Sequence, residues 1–206
     1  MIDKVTLNAA NPRDDEYGRL MLERMNEHHA LLYAWGHGHI SVENAKNILD
    51  VGCGGGKNLY NMAKAAPLSH LYGADISQAS LKKTASLCSS LIKAGRLTLT
   101  LSDADALLYK DVTFDAVTAF ETTYYWKNAA SAFKNILSML SPGGVFLVCN
   151  EDGCLSGNEE IGRALSMTFY SADELACLMR GAGFSTVLAY THENGRWVCA
   201  VGRKDI

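Results

Sequence analysis

The sequence predicts an α/β fold: a doubly wound sheet of seven strands, mostly parallel with an antiparallel terminal strand, preceded by an N-terminal helical cap. Two observations carry this expectation. Seven apolar runs of strand length alternate with helical patterns, and they read as continuous stretches, as strands covered on both faces require. The last two runs are joined only by a hairpin signal.

The cap comes first. Asn11-Pro12 followed by Asp14, Asp15 and Glu16 marks a helix start, with acids near the positive end of the helix dipole. Tyr17, Met21, Met25, His28, Leu32 and Trp35 then recur at three- and four-residue spacing, which predicts one amphipathic helix, either packed permanently or serving as a lid. Residues 1–44 are read as this cap and residues 45–206 as the sheet domain.

Strands are expected over residues 46–52, 70–76, 96–102, 114–120, 144–150, 184–190 and 196–202. Ser77 caps a helix expected to run through Leu91 and Ile92 to Gly95, and Asn128 caps one ending before Ser141-Pro142. Ser171 with Glu174 forms a capping box for a helix ending near Gly181. Asn194-Gly195 is the hairpin signal that turns the final strand antiparallel.

Composition excludes several classes. With 206 residues, 48% hydrophobic, 20% charged and only 3 Pro, the chain is neither collagen-like nor disordered. A net charge of −3 without a basic cluster leaves no electrostatic footprint for nucleic acid. No apolar run approaches the roughly 20 residues of a membrane span, and the N-terminus lacks a signal-peptide layout, so a cytoplasmic protein without membrane contact is expected. Cys53, Cys88, Cys149, Cys154, Cys177 and Cys199 contain no CxxC pair and read as reduced thiols.

The chemistry concentrates where the first strand meets Gly52-Cys53-Gly54-Gly55-Gly56-Lys57-Asn58. Such a turn brings bare backbone and a helix N-terminus against a ligand. A P-loop would need glycine at Val51 and Ser or Thr at Asn58, and the dinucleotide fingerprint begun at Gly52 would need glycine at Lys57. What remains is Asp50 two residues before Gly52, Gly54 and Gly56. With Asp75 ending the second strand, Ser102-Asp103-Ala104-Asp105 after the third, and Phe120-Glu121-Thr122 after the fourth, this order resembles the class I S-adenosylmethionine-dependent methyltransferases, with their Rossmann-like sheet. Among small bacterial-type members, the helical cap around Met25, Asn26 and His29 is similar.

The resemblance implies a methyltransferase that uses S-adenosyl-L-methionine on a small-molecule acceptor. Asp50, Gly52, Cys53, Gly54 and Gly56 would then cradle the amino-acid end of the cofactor, Asp75 would accept the ribose hydroxyls, and Ile76 would cover the adenine. Asp103 and Ala104 would meet the adenine edge, with Asp105 as a rival for Asp103. Glu121 is the candidate acid or base and also faces the cofactor, and His29, Tyr124, Trp126 and Glu151 are expected around the acceptor, where Tyr124, Tyr125 and Trp126 offer an aromatic wall. The sequence offers His28-His29 and His37-Gly38-His39 no acidic or cysteine partner at ligand spacing, so no metal is expected. Two other readings stay open: a nicotinamide-dependent oxidoreductase, and a module that binds S-adenosylmethionine without catalysis.

Overall fold

A computed structural model describes residues 2–206; Met1, the first residue of the expected cap, lies outside them. The elements in chain order are α1 (Glu16–His28), α2 (Ala30–His37), β1 (Asn47–Val51), α3 (Lys57–Ala65), β2 (His70–Asp75), α4 (Gln78–Leu87), α5 (Ser89–Lys93) and β3 (Leu97–Leu101). They continue with β4 (Phe114–Phe120), α6 (Ala129–Met139), β5 (Leu140–Asn150), α7 (Glu159–Ala164), α8 (Ala172–Ala182), β6 (Thr186–Thr191) and β7 (Val198–Arg203). The sheet order is β3-β2-β1-β4-β5-β7-β6. β7 lies between β5 and β6 and runs antiparallel to both, and all other pairings are parallel. Strand order therefore reverses between β1 and β4, and a crevice opens there beyond the carboxyl ends of the strands.

The strands are continuously apolar because adjacent residues serve opposite layers. Ile48 in β1 and Ala116 in β4 pack with Leu59 and Met62 of α3 and Leu81 of α4. Leu49 and Val117, one residue on, face Phe133 and Ile136 of α6 and Leu175 and Met179 of α8. Toward the β7 end of the first face, α2 takes over as cover. Leu32 and Tyr33 pack there on Phe120, Leu147, Cys149 and Val201, and a Cβ on Gly36 would lie 2.6 Å from the Phe120 ring.

The local signals hold with four corrections. The expected cap helix is two helices, broken at His29 (φ −84°, ψ 6°), and α1 buries Gly18 and Leu22 rather than the Tyr17–His28 stripe. The helix after Ser77 breaks at Cys88, whose thiol turns inward toward the Gly56 carbonyl at 3.8 Å. The helix of the capping box runs past Gly181 to Ala182, and its left-handed cap is Gly183 (φ 105°). β5 starts at Leu140 rather than Gly144, because Leu140 already pairs with Phe114 before a register shift. Among the described residues, no helix is long and apolar enough to cross a membrane. All six cysteines are free thiols.

Candidate active site

The turn after β1 is held from three sides. Gly54 N–H donates to Asp75 Oδ2 (2.8 Å), the Thr84 hydroxyl donates to the Gly54 carbonyl (2.8 Å), and Asn26 Nδ2 of α1 donates to the Gly55 carbonyl (3.2 Å). Gly52 and Gly54 both take positive φ, 72° and 51°, for different reasons. A Cβ on Gly52 would lie 2.2 Å from the Thr122 hydroxyl in the loop after β4, whereas a Cβ on Gly54 meets nothing within 4 Å. The backbone of Gly54 thus faces open space.

That space is a cavity of about 570 Å³ at the carboxyl ends of the strands. Of the residues singled out in the sequence, Gly52, Cys53, Gly54, Asp75, Ile76, Asp103, Ala104, Glu121, His29 and Trp126 line it. Asp75 ends β2 and Asp103 follows β3, to one side of β1, and Glu121 follows β4, to the other. The cavity therefore has a two-carboxylate end and an end bounded by Glu121 and His29.

Four anticipated residues do not line it. Asp50 is 2% exposed and lies beneath the turn, where Asn58 Nδ2 (2.9 Å) and the Thr118 hydroxyl (2.7 Å) donate to its Oδ1. It shares a strand face with Ile48, which points it at α3. Gly56 packs against Thr84 of α4. Tyr124 is buried, donating to Glu121 Oε1 (3.0 Å) and accepting from Asp152 N–H (2.9 Å). Glu151 stands beside Glu121, and its backbone N–H donates to Glu121 Oε1.

The fold also brings in residues that the sequence had not marked. Tyr33 arrives on α2, Lys127 on the loop after β4, and Leu165, Ser166 and Thr168 on the segment after α7, while Tyr125 lines the cavity as the aromatic-wall reading expects. Thr168 N–H bonds the Tyr124 carbonyl (2.9 Å), which fixes that segment over the site. Lys127 follows Trp126, so its place beside a candidate was legible. Residues 165–168 carry no motif.

Electrostatics single out the second end. Burial pushes the Glu121 carboxyl up to about 8, the nearby Glu151 carboxylate adds to the rise, and the Glu151 N–H and Tyr124 hydroxyl oppose it. Glu121 is also a non-glycine residue at φ 56°, a strained conformation of the kind that clusters at sites. Burial, with His28 nearby, lowers His29 to about 4, so its imidazole is neutral. His29 Nε2 stands 3.8 Å from Glu121 Oε2, too far for a hydrogen bond. His29, Glu121 and Glu151 together place one ligand-type atom each within 4.8 Å of one another. Sequence spacing gave His29 no acidic partner; the fold supplies two.

At the other end, burial raises the Asp75 carboxyl, opposed by the backbone N–H groups of Ser77 and Gly54. Asp50 is pushed up to about 7 by burial, although Thr118 and Asn58 both donate to it.

Comparison with known proteins follows the same lines. O-methyltransferase resE of Aspergillus sclerotiorum is 28% identical over 170 residues, 78% of this chain and 63% of that protein. O-methyltransferase rstn1 of Aspergillus nomiae is 28% identical over 156 residues, 72% of this chain and 68% of that protein. The chain thus spans about two thirds of the length of these curated relatives. Among solved structures, the putative methyltransferase bound to the Haloferax volcanii Trm112 methyltransferase activator superposes with a TM-score of 0.81 over 90% of this chain and 93% of that one, at 18% identity, which shows a shared fold. A family profile described as a methyltransferase domain matches residues 42–180, more than half the sequence and the whole stretch from the glycine turn through β5, and by that match the chain belongs to the methyltransferase-domain family.

Proposed function

We propose that this protein transfers a methyl group from S-adenosyl-L-methionine to a small-molecule acceptor. The open space in front of Gly54 carries the reading. A bare backbone at positive φ, open to close approach, faces a cavity flanked by Asp75 and Asp103, whose carboxylates can accept from the hydroxyl and amino groups of an amino acid joined to a nucleoside. The residues present fit the cofactor.

Gly52, Cys53 and Gly54 would hold its amino-acid end, with Asp50 and Gly56 supporting the turn from below. Asp75 uses two of its carboxylate lone-pair sites on Gly54 and Ser77, and keeps two for ribose hydroxyls. Ile76, half exposed at 50%, would cover the adenine, whose edge would meet Asp103 and Ala104. When bound, S-adenosylmethionine supplies an electrophilic methyl group, displaced in line by an electron-rich atom.

The chain's own task is to position that atom and exclude water. Tyr33, Phe120, Tyr125 and Trp126 supply apolar walls at the Glu121 end. Glu121 holds its Oε1 on Glu151 N–H and Tyr124, which leaves Oε2 as the oxygen able to take an acceptor proton. A group raised to about 8 is poised for that exchange near neutral pH. Residues 1–44 serve as a cap through Met25, Asn26, His29 and Tyr33, and the enzyme works in the cytoplasm. The oxidoreductase reading lacks support, since Lys57 opens α3 where a dinucleotide fingerprint has glycine.

Calorimetric titration with S-adenosylhomocysteine and with NAD tests this reading, followed by transfer of labelled methyl to a panel of hydroxyl and amine acceptors. One-to-one binding of S-adenosylhomocysteine without NAD binding is expected. NAD binding alone overturns the proposal, and cofactor binding without transfer to any acceptor returns the protein to a non-catalytic binding module.

A further inference from the structure

We infer that His29, Glu121 and Glu151 form a binding site for a first-row divalent metal ion at the acceptor end of the cavity. The three side chains come from three elements: the break between α1 and α2, the residue after β4, and the residue after β5. Their ligand atoms lie within 4.8 Å of one another. A nitrogen and two carboxylate oxygens make a ligand set suited to Zn²⁺ or Mn²⁺, and three protein ligands leave a coordination position open, as in catalytic sites.

The distances favour an ion over direct bonding. His29 Nε2 and Glu121 Oε2 are 3.8 Å apart, beyond a hydrogen bond, whereas two ligands at about 2.1 Å on a tetrahedral ion stand roughly 3.4 Å apart. Glu121 Oε1 is already fixed by Glu151 N–H and the Tyr124 hydroxyl, so the carboxylate is oriented with Oε2 directed at His29. Ligating carboxylates are characteristically held in this way by outer hydrogen bonds.

Charge leads to the same place. Two carboxylates meet at the site, and among the described residues no Lys or Arg forms an ion pair with either acid; Arg196, paired with Asp152, is the cation within electrostatic reach of Glu151. His29 and Glu121 line the cavity, so the open position faces the acceptor. This use of the ion rests on the methyltransferase reading and replaces Glu121 as the base: with Oε2 on the ion, an acceptor oxygen on the metal ionises more readily, its proton passing to water.

The test uses the full chain after chelator treatment, titrated calorimetrically with Zn²⁺ and followed optically with Co²⁺, whose absorption reports nitrogen and oxygen ligation. Saturable one-to-one binding is expected, weakened at least roughly tenfold in both Glu151→Gln and His29→Ala. Circular dichroism confirms that each variant is folded. No uptake, or uptake unchanged in either folded variant, overturns the site. Titration with S-adenosylhomocysteine separates the two readings: a chain that binds it yet takes up no Zn²⁺ loses only the ion site, and one that takes up Zn²⁺ without binding it loses only the methyltransferase reading.

Discussion

Asp75 at the end of β2 holds the Gly54 N–H in the turn after β1, through a 2.8 Å hydrogen bond to Oδ2, while its Oδ1 accepts the Ser77 N–H at the start of α4. One carboxylate thus fixes the glycine turn, the adjacent helix start and one wall of the cavity. Asp75→Ala leaves two N–H groups unpaired, so the free protein should lose about 1–3 kcal/mol, and its melting temperature should fall by several degrees. Asp75→Asn keeps an acceptor and should recover much of that stability while still binding S-adenosylhomocysteine at least roughly tenfold more weakly. Normal affinity in the folded Asn variant would remove Asp75 from the ribose contact.

Gly54→Val separates the turn's shape from its contacts. Because a Cβ at Gly54 meets no atom, the cost to the free protein is confined to left-handed strain, about 1–3 kcal/mol. The valine side chain projects into the cavity and should abolish cofactor binding. Calorimetry on a variant shown to be folded checks this, and retained binding would mean that the ligand approaches elsewhere.

Asp50 gives the protein a pH signature. Burial, reinforced by the Asp75 charge, raises its carboxyl to about 7, while Thr118 and Asn58 oppose the rise by donating to it. The unfolded carboxyl ionises near 4, so between about pH 4 and 7 the folded state holds a proton that the unfolded state has released. Stability is therefore greatest on the acid side and falls as pH rises through 7, by about 1.4 kcal/mol between pH 6 and pH 8 from this group. Asp50→Asn should flatten that part of the melting-temperature profile by roughly 3–5 °C. An identical slope in the variant would show that Asp50 does not titrate there.

Hydrogen exchange should divide the N-terminal segment at His29. α2 is buried against the sheet through Leu32, Tyr33 and Gly36, whereas α1 buries only Gly18 and Leu22 and touches the glycine turn through Asn26. Amides of residues 30–37 should be protected with or without ligand, and those of residues 16–28 should gain protection when S-adenosylhomocysteine is added. Equal behaviour of the two helices would rule out a mobile first half.

The strands and their carboxyl-end acids were legible because each run of apolar residues is punctuated by glycine, proline or a capping residue, and because Gly54, Asp75, Asp103 and Glu121 stand at or within three residues of the ends of strands. The breaks at His29 and Cys88 were not. Both residues fall within unbroken helical periodicity, and what accompanies each break is a tertiary contact, Cys88 with Gly56 and His29 with Glu121. Asp50 illustrates a subtler loss. Its place beside the glycines suggested a ligand contact, yet strand alternation aims its side chain with Ile48, under the turn. Tyr33 and residues 165–168 reach the cavity from distant parts of the chain, and no local pattern announces that.

A buried run of hydrogen bonds links α2 to the floor of the site: His37 Nε2 donates to Asn58 Oδ1 (2.6 Å), and Asn58 Nδ2 and the Thr118 hydroxyl both donate to Asp50 Oδ1. Residues 30–37 are thereby wired into the same unit as the glycine turn, while residues before His29 hold on by few buried contacts. For protein engineering, this places the natural graft junction at His29. Helices exchanged upstream of it would alter the roof over the site and would need to keep Asn26, whose side chain holds the Gly55 carbonyl of the cofactor cradle. A splice inside α2 would strand Asn58 without its partner and be felt at Asp50, on the far side of the turn.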